Sequence, residues 1–99
     1  MSKGDITTIL AAATGAGNSS HFYVGPGSNV TVMTDVDLAG AETADIQISH
    51  DNGTTFKDYQ DGAAVELTAT LNALRLYGPS VYRVAKDATV SATAILLQE

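Results

Sequence analysis

A chain of 99 residues without cysteine has the length of one domain and must hold together without disulfides, thiolate nucleophiles or thiolate metal ligands. Eleven acidic residues against five basic ones leave a formal net charge of −6. Because Lys3, Lys57, Arg75, Arg83 and Lys86 do not cluster in sequence, the counterion release that drives phosphate-backbone binding is not expected, and no nucleic-acid partner is expected unless folding gathers them.

The chain opens with Met1 to Asp5 and an apolar run over residues 6–13. That run is too short to cross a bilayer, and with Asp5 before it and no cleavage site after it, it makes a poor signal peptide. Neither a membrane partner nor export is expected; the protein is read as made in a reducing cytoplasm. From there on, alternation with a period of two dominates, which places apolar side chains on one face of a strand and polar ones on the other. The clearest runs are residues 29–34, 44–49, 64–68 and 81–86. In the last, Val81, Arg83 and Ala85 share one face while Tyr82, Val84 and Lys86 share the other, so that alternation is imperfect.

Further strands are predicted at 6–12, 21–24, 54–59, 73–77 and 89–97. Turn residues separate them at 14–20, 25–29, 51–53, 61–62 and 78–80, where Gly and Asn tolerate positive φ and Pro presets φ. Helix is the rival at 6–13 and 68–76, which are rich in Ala and Leu, but both are short and uncapped. About eight short strands define an all-β chain folded as one small antiparallel β-sandwich, jelly-roll-like or immunoglobulin-like. Residues 13–99 form the domain, and residues 1–12 form an N-terminal arm or an edge strand.

Few side chains suggest chemistry. His21 and His50 lack the spacing of a zinc pair. Asp58, Asp61 and Glu66 are near one another in sequence, as an acid/base pair would be, yet they sit on or beside turns where acids are solvated. Asp35, Asp37, Glu42 and Asp45 offer oxygen ligands for calcium, but their spacing fits no EF-hand loop. His21, Phe22 and Tyr23 could stack on a sugar, although the same triplet suits a core edge, and Arg83 suits a strand residue paired with a carboxylate. No nucleophile elbow, phosphate-binding loop or dinucleotide fingerprint is present. The expectation is therefore no enzyme, no catalytic residue, no metal and no cofactor.

The sharpest local signal runs from Ser49 to Phe56, Ser-His-Asp-Asn-Gly-Thr-Thr-Phe. It resembles the Asp-box hairpin, with Ser49, Asp51, Gly53 and Thr55 matching and Phe56 standing where tryptophan is commoner. The carboxylate is expected to accept backbone N–H bonds across the turn, Gly53 to relieve a left-handed residue, and Phe56 to anchor the returning strand in the core. Sialidases carry this motif as a folding element, so the resemblance implies a structural hairpin and not a glycosidase, whose propeller would need several four-stranded blades.

With Lys57-Asp58-Tyr59 after it, and Gly78-Pro79-Ser80-Val81-Tyr82-Arg83-Val84-Ala85-Lys86 and a small-residue strand over 88–97 further on, the second half of the chain resembles small structural proteins of tailed bacteriophages. That resemblance implies a virion protein, of the head decoration (cement) type, that binds the assembled shell as a homo-oligomer, often a trimer. Its partners would be further copies of itself and the major capsid protein or another virion protein, and its location the virion. In such an assembly the first dozen residues would order against a neighbouring subunit, burying Ile6, Ile9 and Leu10. A tail or neck accessory protein and a carbohydrate-binding β-sandwich are the alternatives. The second would need a row of exposed aromatics from a chain that has six and no Trp.

Overall fold

Period-two alternation decides which side of each strand faces inward. In the computed structural model, which describes residues 5–99, β1 (Ile6–Ala13), β2 (Gly17–Asn18) and β3 (Phe22–Val24) lead into β4 (Asn29–Thr34), which buries Val30 and Val32. β5 (Ala44–Ser49) buries Ala44 and Ile46, and short β6 (Phe56–Asp58) and β7 (Glu66–Leu67) follow. β8 (Ala73–Tyr77) buries Leu76, β9 (Ser80–Lys86) buries Tyr82, Val84 and Lys86, and β10 (Thr93–Gln98) buries Thr93, Ile95 and Leu97. No helix forms among the described residues; residues 6–13 and 73–77 are strands, because each finds a ladder partner that an isolated short helix would lack.

Every strand pairing is antiparallel. The first sheet has the order β1-β10-β4-β8; in the second, β9 and β5 are central, with β2 and β3 on the outer side of β9 and β6 and β7 on the outer side of β5. Local hydrogen bonds explain both split edges. Ser19 stands between β2 and β3, and its N–H donates to Val84 O (2.8 Å) while its Oγ accepts the Val84 N–H (2.8 Å), so a side chain replaces one rung of the ladder. Between β6 and β7 the chain loops out, yet Ile46 O still accepts from Tyr59 N–H (2.8 Å) and Ile46 N–H donates to Val65 O (3.0 Å).

Counting each split edge once, the strand positions pair first with last, second with next to last, and so on inward: β1 with β10, β2/β3 with β9, β4 with β8, β5 with β6/β7. A long hairpin rolled up in this way is a jelly roll, so of the two sandwich topologies expected from the sequence the strand order selects that one. Residues 6–12 are the edge strand of the first sheet. Residues 1–4, the start of the expected arm, lie outside the described residues.

Several expected boundaries moved: the strands expected at 21–24, 54–59 and 64–68 shorten to 22–24, 56–58 and 66–67, and Ser80 joins β9. Gly17–Asn18 pairs with β9 although residues 14–20 read as a turn. β10 begins at Thr93 instead of near Thr89 because the Thr89 hydroxyl donates to Ser91 O (2.7 Å), a local bond that competes with the ladder, and the Val90 N–H is taken by Glu42 Oε2 (2.8 Å) from a distant loop.

The core lies between the sheets, where Val32, Ile46, Val84 and Ile95 are fully buried, each contributing about 1.5–3 kcal/mol. Polar ties close the edges of this core. The Tyr82 hydroxyl, on a ring packed against Phe22 and Tyr59, donates to Tyr77 O at 2.6 Å and fastens the crossing from β8 in one sheet to β9 in the other, a tie of the tyrosine-corner kind. At that crossing the backbone passes so close to Val24 and Gly25 that a Cβ on Gly78 would collide with their carbonyl oxygens.

Lys86, only 3% exposed, closes the far end of β9. Its ammonium donates to Gly15 O (2.6 Å), Ala13 O (3.1 Å) and Asp87 O (3.1 Å), with Thr89 Oγ1 at 3.5 Å. Backbone carbonyls from the β1–β2 loop and the 87–89 turn thus form a cage that satisfies the ammonium donors. Tyr82→Phe is expected to lower unfolding free energy by about 1 kcal/mol and Lys86→Ala by about 2–3 kcal/mol, as charged hydrogen bonds exceed neutral ones; Ile46→Ala should cost about 2–5 kcal/mol. Urea denaturation of the three variants checks that ranking.

Candidate functional site

The hairpin between β5 and β6 is built by its own side chains. Ser49 Oγ accepts the N–H groups of Gly53 (2.8 Å) and Asp51 (3.3 Å) and donates its proton to Asp51 Oδ1 (2.9 Å), which also accepts the Thr55 N–H at 2.7 Å. Asn52 (φ 62°) and Gly53 (φ 97°) are both left-handed, so the turn uses the two residue types that tolerate this conformation best. The Thr55 N–H bond holds the Asp51 carboxyl at a pKa of about 2, below its ordinary 3.8, with help from the Ser49 hydroxyl and the neighbouring His50. All four matching positions of the Asp-box pattern, Ser49, Asp51, Gly53 and Thr55, thus come together.

Phe56 does not enter the core. Its cross-strand partner is Ser49, whose other partner is Val81, so it lies on the outer face of the second sheet. There the Arg83 guanidinium covers its ring at 4.4 Å from the centroid, and the His21 ring stands 6.0 Å away. The expectation that Phe56 anchors the strand in the core is corrected: it sits two residues from Asp58 and directly opposite Ser49, and strand geometry gives all three one side.

Among the described residues Arg83 reaches a carboxylate only through an amide, not as the direct pair expected from the sequence. Its Nε–H donates to Gln47 Oε1 (2.7 Å), and the Gln47 amide donates onward to Asp58 Oδ1 (3.1 Å), giving a polar row across three strands. Asp58 is therefore engaged, while Asp61 lies in the 60–64 bend, where its N–H donates to Ala63 O. Glu66 is opposite Asp45, whose carboxyl is pushed up by burial, pulled down by the Thr43 hydroxyl, and pushed up by Asp58 and Asp87. The recess beside these groups has a volume of about 60 Å³, room for a water or two and not for a sugar ring.

The acids of the 35–45 segment are occupied with backbone and side-chain donors. Asp35 Oδ1 accepts the Ala94 N–H (2.8 Å), Glu42 accepts the N–H groups of Ala39 (2.9 Å) and Val90 (2.8 Å), and Asp37 accepts from the Asn72 amide (3.3 Å). Among the described residues no three His, Asp or Glu side chains gather as metal ligands.

The outer face of the first sheet has a different character. Register aligns Thr8, Leu96, Met33 and Ala73 in one row and Ile6, Gln98, Thr31 and Arg75 in the next. Arg75 is the single formal charge in those rows, and Ile6 is 56% exposed. Ile9 and Leu10, grouped with Ile6 as partner contacts from the sequence, are half-buried and pack on this chain's own core. Sequence alone does not single out Leu96, Met33 and Ala73. The available signal was the unbroken apolar run 94–97, since a strand apolar on both faces is covered on both. At one end of the sandwich, Tyr23, Arg75, Gln98 and Glu99 line an open recess of about 510 Å³.

No protein-family model, no curated protein and no solved structure matches the chain. The hairpin generates a pH prediction. Because folding depresses the Asp51 pKa, its contribution to stability is complete above the ordinary carboxyl value and is lost as pH falls from there through about 2. Asp51→Ala should lower the melting temperature at neutral pH and flatten the acid limb of the stability profile; thermal unfolding across that pH range checks both.

Proposed function

We propose that this chain is a non-enzymatic structural protein of a tailed-phage virion, a capsid decoration protein made in the host cytoplasm that binds the assembled shell as a homo-oligomer, with a trimer as the expected state. The observation that carries the reading is the outer face of the first sheet. A solvent-facing antiparallel sheet is ordinarily polar, and in a chain of net charge −6 the rows through Ile6, Thr8, Leu96, Met33 and Ala73 present one charge, Arg75. Depletion of charge is the compositional mark of an interface centre. The opposite face carries Arg83, Asp45, Asp58 and Glu66 and suits solvent. The resemblance of residues 49–59 and 78–97 to phage structural proteins supports the same role, and a tail or neck position is its nearest variant.

A carbohydrate-binding module is the second reading, favoured by one observation: Tyr23 and Tyr77 are 65% and 63% exposed, and Tyr23 borders the recess with Arg75. Glycan-array binding abolished by Tyr23→Ala would select it.

Light scattering of the purified protein should return a multiple of 10.2 kDa, and the protein should co-sediment with capsids of the phage that encodes it. Leu96→Glu, which puts a charge at the centre of the apolar row, should weaken that binding about tenfold or more while leaving the fold intact. A monomer that does not bind capsids would reject the proposal, and immunogold labelling of tails would move it from head to tail.

A further inference from the structure

Asn52–Gly53 is the one Asn-Gly pair in the chain. We infer that it is a latent deamidation site that the folded hairpin holds shut through Ser49. The chemistry needs only water. Once the Gly53 amide nitrogen gives up its proton, its lone pair attacks Asn52 Cγ; the N–Cγ bond forms, the Cγ–Nδ2 bond breaks, and ammonia leaves with the proton. Water then opens the five-membered succinimide at either carbonyl, giving aspartate or, with the chain rerouted through the side chain, isoaspartate. A glycine nitrogen is the least hindered nucleophile for this ring closure because no Cβ stands beside it.

The structure leaves the amide accessible and restrains the nucleophile. Asn52 is exposed, so water reaches its side chain. The Gly53 N–H that must be lost is the one donated to Ser49 Oγ at 2.8 Å, and Ser49 is itself fixed by its bond to Asp51, which is fixed by Thr55. Both residues of the pair are held at positive φ, and Gly53 is backed by the His21 ring, whose Nε2 would lie 3.5 Å from a Cβ at this position. Ring closure therefore requires the hairpin to open first. Isoaspartate adds one carbon to the backbone between Ser49 and Gly53, lengthening the span that the Ser49–Gly53 bond and the Ser49–Phe56 pairing now close. The polar lock that shapes the turn also guards it against irreversible ageing, whatever the protein binds.

Wild type, Ser49→Ala and Ser49→Thr are incubated in mildly alkaline buffer, with wild type in denaturant as the unrestrained reference. Peptide mass spectrometry reads the amide-to-acid mass change at position 52, and an isoaspartate methyltransferase assay reads the rerouted product. Folded wild type should convert roughly tenfold or more slowly than the denatured chain. Folded Ser49→Ala should convert roughly three- to tenfold faster than wild type, the kinetic equivalent of one net hydrogen bond, and Ser49→Thr, which keeps the hydroxyl, should match wild type. Equal rates in folded and denatured wild type, or a folded Ser49→Ala at the wild-type rate, overturn the inference. Should Ser49→Ala fail to fold, hydrogen exchange at the Gly53 amide of wild type decides: protection supports the lock, and exchange at the rate of an unstructured peptide overturns it.

Discussion

Contact between the inner faces of the two sheets is what the other features depend on. Val32 and Ile95 from one sheet and Ile46 and Val84 from the other are fully buried, and each is held in place by alternation along its strand. A domain of this length removes only about two-thirds of its unfolded surface from water, so losing any inner-face contact takes a large share of a small margin. The polar ties at the ends follow from the same constraint. Where the rolled hairpin crosses between sheets the backbone runs out of ladder partners, and Tyr82 and Lys86 supply them, while Ser19 fills a missing rung within the second sheet, between β2 and β3.

That economy explains how the charged residues are used. Asp35, Glu42 and Asp51 accept backbone N–H groups in loops, and Asp58 accepts from Gln47. A jelly roll of short strands has many turn amides with no ladder partner, and acceptor side chains near them stabilise the connections. The acidity of the chain is thus largely a feature of its loops. Lys86, a cation, sits where carbonyls converge instead.

With the inner faces committed to the core, the two outer faces are free to diverge. One carries a guanidinium stacked on Phe56 and linked through Gln47 to Asp58, a rigid polar surface that tolerates water. The other aligns Leu96, Met33 and Ala73 beside an uncharged edge strand. This asymmetry is the physical basis for assigning the first sheet to a partner in the proposed decoration role. Jelly rolls serve many unrelated functions, so the character of that surface, and not the fold, points to a partner.

The strands and most turns were legible in the sequence, because period-two alternation and the φ preferences of Gly, Asn and Pro act over a few residues. So were the Asp51 carboxylate as a backbone acceptor in the 49–55 turn and the left-handed Gly53, because these groups lie within four residues of one another, whereas the gathering of the Gly53 and Asp51 N–H groups by Ser49 was not. The helical rival at 6–13, the pairing of Gly17–Asn18 and the late start of β10 at Thr93 were settled by partners distant in the chain. Phe56 on the outer face, Lys86 inside a cage of carbonyls and the Gln47 bridge between Arg83 and Asp58 likewise depend on which strands lie side by side. Residue pattern alone specifies a sandwich of short strands joined by Gly- and Asn-bearing turns; the jelly-roll path of the sheets and the identity of the inward-facing polar side chains follow from the assembled fold. Local preferences are written residue by residue, whereas burial and pairing are properties of residues brought together from opposite ends of the chain.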